Sequence, residues 1–116
     1  MHEIRRFTNW VFQKLAKNCP GSTSFRPALH KLRGVTIGAN VFIGEDVIIE
    51  SKYPDRVSIG SNVQIALRTI VMAHITGPGR VVIEDNVYIG AGCIITCGPD
   101  QILRIGQGSV VGAGSV

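Results

Sequence analysis

From residue 37 to residue 111 an Ile or Val recurs in steps of six, and neither regular element alone counts in sixes. A helix repeats near 3.6 residues and a strand near 2. The anchors are Ile37, Ile43 and Ile49, then Ile59, Ile65 and Val71, then Ile83, Ile89 and Ile95, then Ile105 and Val111. All eleven are Ile or Val, although those two types make up 28 of the 116 residues. Gly follows directly at 38, 44, 60, 90, 106 and 112. Small or β-branched residues fall four places after many anchors, at Val41, Val47, Val63, Thr69, Val87, Cys93, Ser109 and Ser115.

This pattern predicts short flat strands ended by corners, with each anchor pointing inward and Gly allowing a tight backbone. Three hexads close one triangular coil of about eighteen residues, and coils stack as parallel strands about 4.8 Å apart. The interruptions are regular too. First anchors at 37, 59, 83 and 105 leave an excess of four, six and four residues beyond three hexads, always after the third hexad. The extra residues therefore collect along one edge of the prism, where a site can be built on a rigid scaffold. Three places after each third anchor on that edge stand Lys52, His74 and Gly98.

The expected division is a helix and linker over 1–34 and the repeat region over 35–116, its last coil incomplete. Residues 3–17 place Ile4, Phe7, Val11 and Leu15 at helical spacing, with Arg5, Arg6, Lys14 and Lys17 elsewhere. Such a helix covers the bare end of a solenoid, or touches an anionic membrane through its basic residues, Trp10 and Phe12. His30 falls in the linker. Twelve Lys and Arg against eight Asp and Glu give a net charge of +4. No RNA-binding motif or zinc-finger spacing accompanies that charge, so nucleic acid is not expected. No stretch approaches the roughly 18 apolar residues of a membrane span, and Asn9, Gln13, Lys14 and Lys17 interrupt any signal-peptide core. Three cysteines without a disulfide pattern fit reduced thiols in a cytoplasm.

The segments "LHKLRGVTIGANVFIG", "YPDRVSIGSNVQIA", "IVMAH" and "IEDNVYIGAGCII" through "IGQGSVVGAGSV" resemble the hexapeptide-repeat acyltransferases, in the branch that O-acetylates sugars and polysaccharides. The resemblance implies an all-β left-handed parallel β-helix with an N-terminal α-helical cap, a homotrimer, and acetyl-CoA as acyl donor. It implies His74, in "IVMAH", as the general base that deprotonates an acceptor hydroxyl. An imidazole titrates near neutral pH, as that task requires. The alternative reading of His74 is a structural histidine. Direct attack needs no acyl-enzyme, so Cys93 and Cys97 read as core or corner residues.

The same resemblance places coenzyme A between neighbouring subunits, with Ala91 and Ala113 against its pantetheine arm. Arg80 and Arg104 are read on the loop edge, where they would pair with the coenzyme phosphates. Otherwise the alanines only make corners and the arginines are solvated. On the acceptor side it implies Asp46. Lys52 and Gly98 join that side through their register with His74. Gly98 would leave room for the thioester, and an ammonium at Lys52 would keep a neighbouring base neutral. Relatives continue beyond Val116 with a tail that helps hold the coenzyme, so weak binding by this chain is expected. A zinc enzyme of this fold is not expected, because only His74 lies within the repeats and catalytic zinc takes about three protein ligands. The reading from another class is an inactive solenoid used for trimeric assembly.

Overall fold

The computed structural model describes residues 6–11, 25–74, 77 and 79–116, and among these eleven short strands wind into a parallel solenoid of about three turns. The first coil carries β1 (Thr36–Ile37), β2 (Phe42–Ile43) and β3 (Ile48–Ile49), and the second β4 (Val57–Ile59), β5 (Gln64–Ile65) and β6 (Ile70–Met72). The third carries β7 (Arg80–Ile83), β8 (Tyr88–Ile89) and β9 (Ile94–Thr96), and a fourth begins with β10 (Ile102–Ile105) and β11 (Val110–Val111). Every pairing is parallel. Three sheets result, β1-β4-β7-β10, β2-β5-β8-β11 and β3-β6-β9.

The anchors stack on one another. Ile37 faces Ile59, Ile83 and then Ile105 along the first sheet. Ile43, Ile65, Ile89 and Val111 do the same in the second, and Ile49, Val71 and Ile95 in the third. The six-residue count therefore specifies register as well as fold. Between the anchor columns, Val41, Val47, Val63, Thr69, Val87 and Cys93 are buried as well, and Val57, Val81 and Ala73 add to the interior. Removing these aliphatic columns from water drives the stacking.

The corners divide two tasks that the repeat pattern had given to glycine alone. The left-handed backbone falls three places after the anchor, on Asn40, Asn62 and Asn86 at one edge and on Asp46, Arg68 and Gly92 at the next. Asn and Asp tolerate that conformation through local side-chain bonding. The Gly directly after the anchor serves close approach between coils. A Cβ on Gly60 would come within 2.8 Å of Asp85 N, and one on Gly44 within 2.7 Å of Leu67 N.

Before the solenoid, residues 6–11 are helical; the remainder of the helix expected over 3–17 lies outside the described residues. The segment read as a linker is instead a helix, Phe25–Arg33. Arg26, Leu29, His30 and Arg33, at i, i+3, i+4 and i+7, are buried on one face, with Pro27 buried beside them. Three of those four are polar, which hides the face from a search for apolar periodicity. Arg26 Nε donates to Ile43 O at 2.8 Å, and Arg33 Nη2 donates to Glu50 O. These carbonyls belong to the first coil, where no earlier coil supplies donors, and buried carbonyls need partners. Among the described residues, no helix is long and apolar enough to cross a membrane.

Candidate functional site

The loop edge between the third sheet and the first holds one histidine, and its partner is a carboxylate. His74 follows β6, and its Nδ1 lies 2.5 Å from Glu50 Oε2. Glu50 directly follows the anchor Ile49 one coil earlier and is fully buried. Its carboxylate accepts from the backbone: Ala73 N to Oε1 at 2.6 Å, and Lys52 N and Tyr53 N to Oε2 at 3.0 and 2.7 Å. A buried carboxylate stays charged at tolerable cost only when its oxygens are satisfied in this way. Since Nδ1–H donates to the carboxylate, Nε2 is the ring nitrogen left to accept a proton. Tyr53 packs edge-on against the imidazole with ring centroids 5.4 Å apart.

A second layer of bonds holds this pair. Arg33 donates through Nη2 to the backbone carbonyl of Glu50 and through Nε to Asn9 Oδ1 at 2.7 Å. Asn9 Nδ2 then donates to Ser51 O at 2.6 Å, tying the helical residues 6–11 to the loop after β3. Burial lowers Arg33 to about 10, with Glu50 acting in the opposite sense, so the guanidinium remains charged at neutral pH. His30 Nδ1 lies 2.8 Å from Arg33 Nη1 and must accept, which makes His30 neutral with its proton on Nε2. Burial first and Arg33 second lower His30 to about 3. Its Nε2 has no partner among the described residues.

His74 borders a cleft of about 500 Å³ shared with Arg6, Phe7, Asn9, Trp10, Ser51 and Lys52. Lys52 lines the same cleft, with Nζ 5.5 Å from the centre of the Tyr53 ring. The group in contact with the imidazole is the Glu50 carboxylate, which the repeat pattern did not single out. Its one signal is position. Gly follows six of the anchors, whereas a charged residue follows Ile49 and Ile83; at Ile83 that residue, Glu84, is half-exposed and pairs with Arg104.

The remaining expected residues are dispersed. Gly98 lies on the same edge one coil beyond His74, its N–H bonded to Gln101 Oε1 at 3.1 Å. Ala91 and Ala113 lie on the edge between the second and third sheets, stacked through Gly114 N to Ala91 O at 2.9 Å. Asp46 is on that edge too, 4.0 Å from Arg68 Nε. One chain therefore does not bring Ala91, Ala113 or Asp46 to His74. Arg80 opens β7 at the end of the loop and is exposed. Arg104 is not on the loop edge: it lies within β10, 3.0 Å from Glu84, because β10 already starts at Ile102. Cys93 and Cys97 are buried free thiols. Among the described residues, no three His, Cys, Asp or Glu group as a metal site would require.

No family model matches the chain. It is 35% identical over 75 residues to a Bacillus subtilis (strain 168) protein described as "Putative acetyltransferase YvoF", a match covering 60% of this chain and 41% of that protein. Serine acetyltransferase isoform 3 from Entamoeba histolytica, crystallised in complex with cysteine, aligns with a TM-score of 0.46 and 18% identity, over 90% of this chain and 46% of that one. The chain spans less than half the length of either protein.

Proposed function

We propose that this chain is the solenoid of an acetyl-CoA-dependent acetyltransferase of the hexapeptide-repeat type, wound left-handed, acting on a hydroxyl of a sugar-type acceptor. The observation that carries the reading is His74 at the mouth of a cleft with Nδ1 held by a buried carboxylate. The similarity to the B. subtilis acetyltransferase supports the reaction class. In this reading the helix Phe25–Arg33 closes the first coil, and the protein works in the cytoplasm.

Acetyl-CoA supplies the acyl group as a thioester. His74 Nε2 takes the proton from the acceptor hydroxyl as its oxygen attacks the thioester carbonyl. The C–S bond breaks, and the imidazolium returns the proton to the departing sulfur. Glu50 fixes the tautomer and ring orientation throughout and offsets the charge gained by the ring. The coenzyme-side residues Ala91 and Ala113 occupy another edge of the prism, so completing the site requires a second copy. A homotrimer supplies one at each of its three interfaces. A solenoid used only for assembly would explain the three backbone bonds to Glu50. It would not require the fourth contact to be an imidazole bordering a cleft.

Thermal melting in the presence of acetyl-CoA, followed by a thiol-release assay with hydroxyl acceptors, tests the proposal. A ligand that binds only the native state raises the melting temperature with concentration, and free thiol should accumulate only when an acceptor is present. Neither a melting shift nor acceptor-dependent thiol release would leave the assembly reading in its place.

A further inference from the structure

Among the described residues, the accessible walls of the His74 cleft carry charge of one sign. Glu50 is fully buried and its oxygens are occupied by four donors, so it offers no acceptor to the cleft. The Asn9 amide is likewise committed, to Arg33 and to Ser51 O. What remains at the surface beside His74 and Ser51 is the Arg6 guanidinium, the Lys52 ammonium and two aromatic rings. Among the described residues neither cation is in an ion pair. Arg6 and Lys52 also line an adjoining cleft of about 420 Å³, where Asp55 is the one acidic side chain.

The rings form a platform. Phe7 and Trp10 stack with centroids 6.2 Å apart and planes 30° apart, yet are 65% and 56% exposed. The two rings and Arg6 belong to the helical residues 6–11, which Asn9 ties to the loop carrying Lys52. A platform of this kind offers apolar area to the face of a ring, and paired cations attract a carboxylate or phosphate.

We propose that the acceptor is an acidic carbohydrate, a hydroxylated ring bearing a carboxylate or phosphate, with Arg6 and Lys52 holding the anion and Phe7 and Trp10 the ring face. This rests on the reading that His74 takes the hydroxyl proton. It extends that reading by assigning acceptor choice to the residues before the solenoid, within the same chain as the base. Guanidinium is suited to bidentate contact with either anion, and a charge-assisted bond in a half-open cleft corresponds to roughly tenfold in affinity.

The test uses the full chain with three probes: methyl β-glucuronide, glucose 6-phosphate and neutral methyl β-glucoside. Binding is followed by NMR titration without acetyl-CoA, so that it does not depend on turnover. At least one charged probe should bind about tenfold tighter than the neutral sugar, and which one does identifies the anion as carboxylate or phosphate. In Arg6→Gln and Lys52→Gln that preference should fall toward unity, while Trp10→Ala should weaken all three probes. Equal binding of charged and neutral probes, no binding of any, or a preference that survives both cation substitutions overturns the proposal. Thiol release by His74→Gln separates the two readings. Retained release removes the general base, while the binding titration still judges the acceptor class.

Discussion

At Glu50 one residue position turns a corner of the solenoid into a buried polar cluster that holds the His74 ring. At the other corners the residue after the anchor is mostly a Gly that lets coils touch; after Ile49 it is a carboxylate with four donors. Glu50→Gln keeps the shape but turns one acceptor oxygen into a donor that must face a donor. We expect it to lower turnover by on the order of 10²-fold, because the imidazole loses its fixed tautomer. Glu50→Ala should in addition destabilise by about 1–3 kcal/mol in urea unfolding, since the N–H groups of Lys52, Tyr53 and Ala73 lose their acceptor. Equal turnover of Glu50→Gln and wild type would show that the carboxylate only staples the loops. The glycines allow a parallel test. Gly60→Ala should cost about 1–3 kcal/mol, because its Cβ meets Asp85 N at 2.8 Å. Gly106→Ala, which meets nothing nearer than 3.9 Å, should cost much less.

At the scale of elements, the strands were legible because a stacked aliphatic column must repeat at the coil length, and the six-residue count carried that constraint directly. Each pair of anchors aligned by counting is paired in the sheets. The helix Phe25–Arg33 was not legible, for two physical reasons. Pro27 reads as a breaker, yet a Pro in the first turn removes only an N–H that has no helical partner. Besides Leu29, its inward face carries Arg26 and Arg33, which donate to carbonyls of the first coil, and His30, which accepts from Arg33, and the coil partners cannot be seen along the chain. Glu50 escaped for the same reason, whereas His74 was visible through its place on the loop edge.

That helix carries its own pH dependence. The folded chain keeps His30 neutral down to about pH 3, whereas an unfolded chain protonates it near 6.5. Between those values the unfolded state binds more protons, so stability falls as pH drops below about 6.5 and is complete above it. His30→Asn keeps an acceptor for Arg33 but does not titrate. Its melting temperature should therefore change less than that of the wild type between about pH 6.5 and 4. Parallel melting curves for the two proteins over that window would remove His30 from the account.

Over the whole molecule, the outer surfaces of the second and third sheets carry an apolar load. Phe42, Tyr88 and Val110 are exposed on one, and Ile94 is exposed in a ladder with Ile48 and Ile70 on the other. Cyclic closure would cover such faces, and it would also bring the edge bearing Ala91 and Ala113 of one copy toward His74 of the next. Light scattering at micromolar concentration should give the mass of three chains; a stable monomer would remove the shared site. The role of His74 as general base is tested most directly by the rate of thiol release from acetyl-CoA by His74→Ala in the assembled state. We expect a fall of about 10² to 10⁴-fold with assembly and melting temperature retained. Undiminished thiol release by that variant would contradict this role.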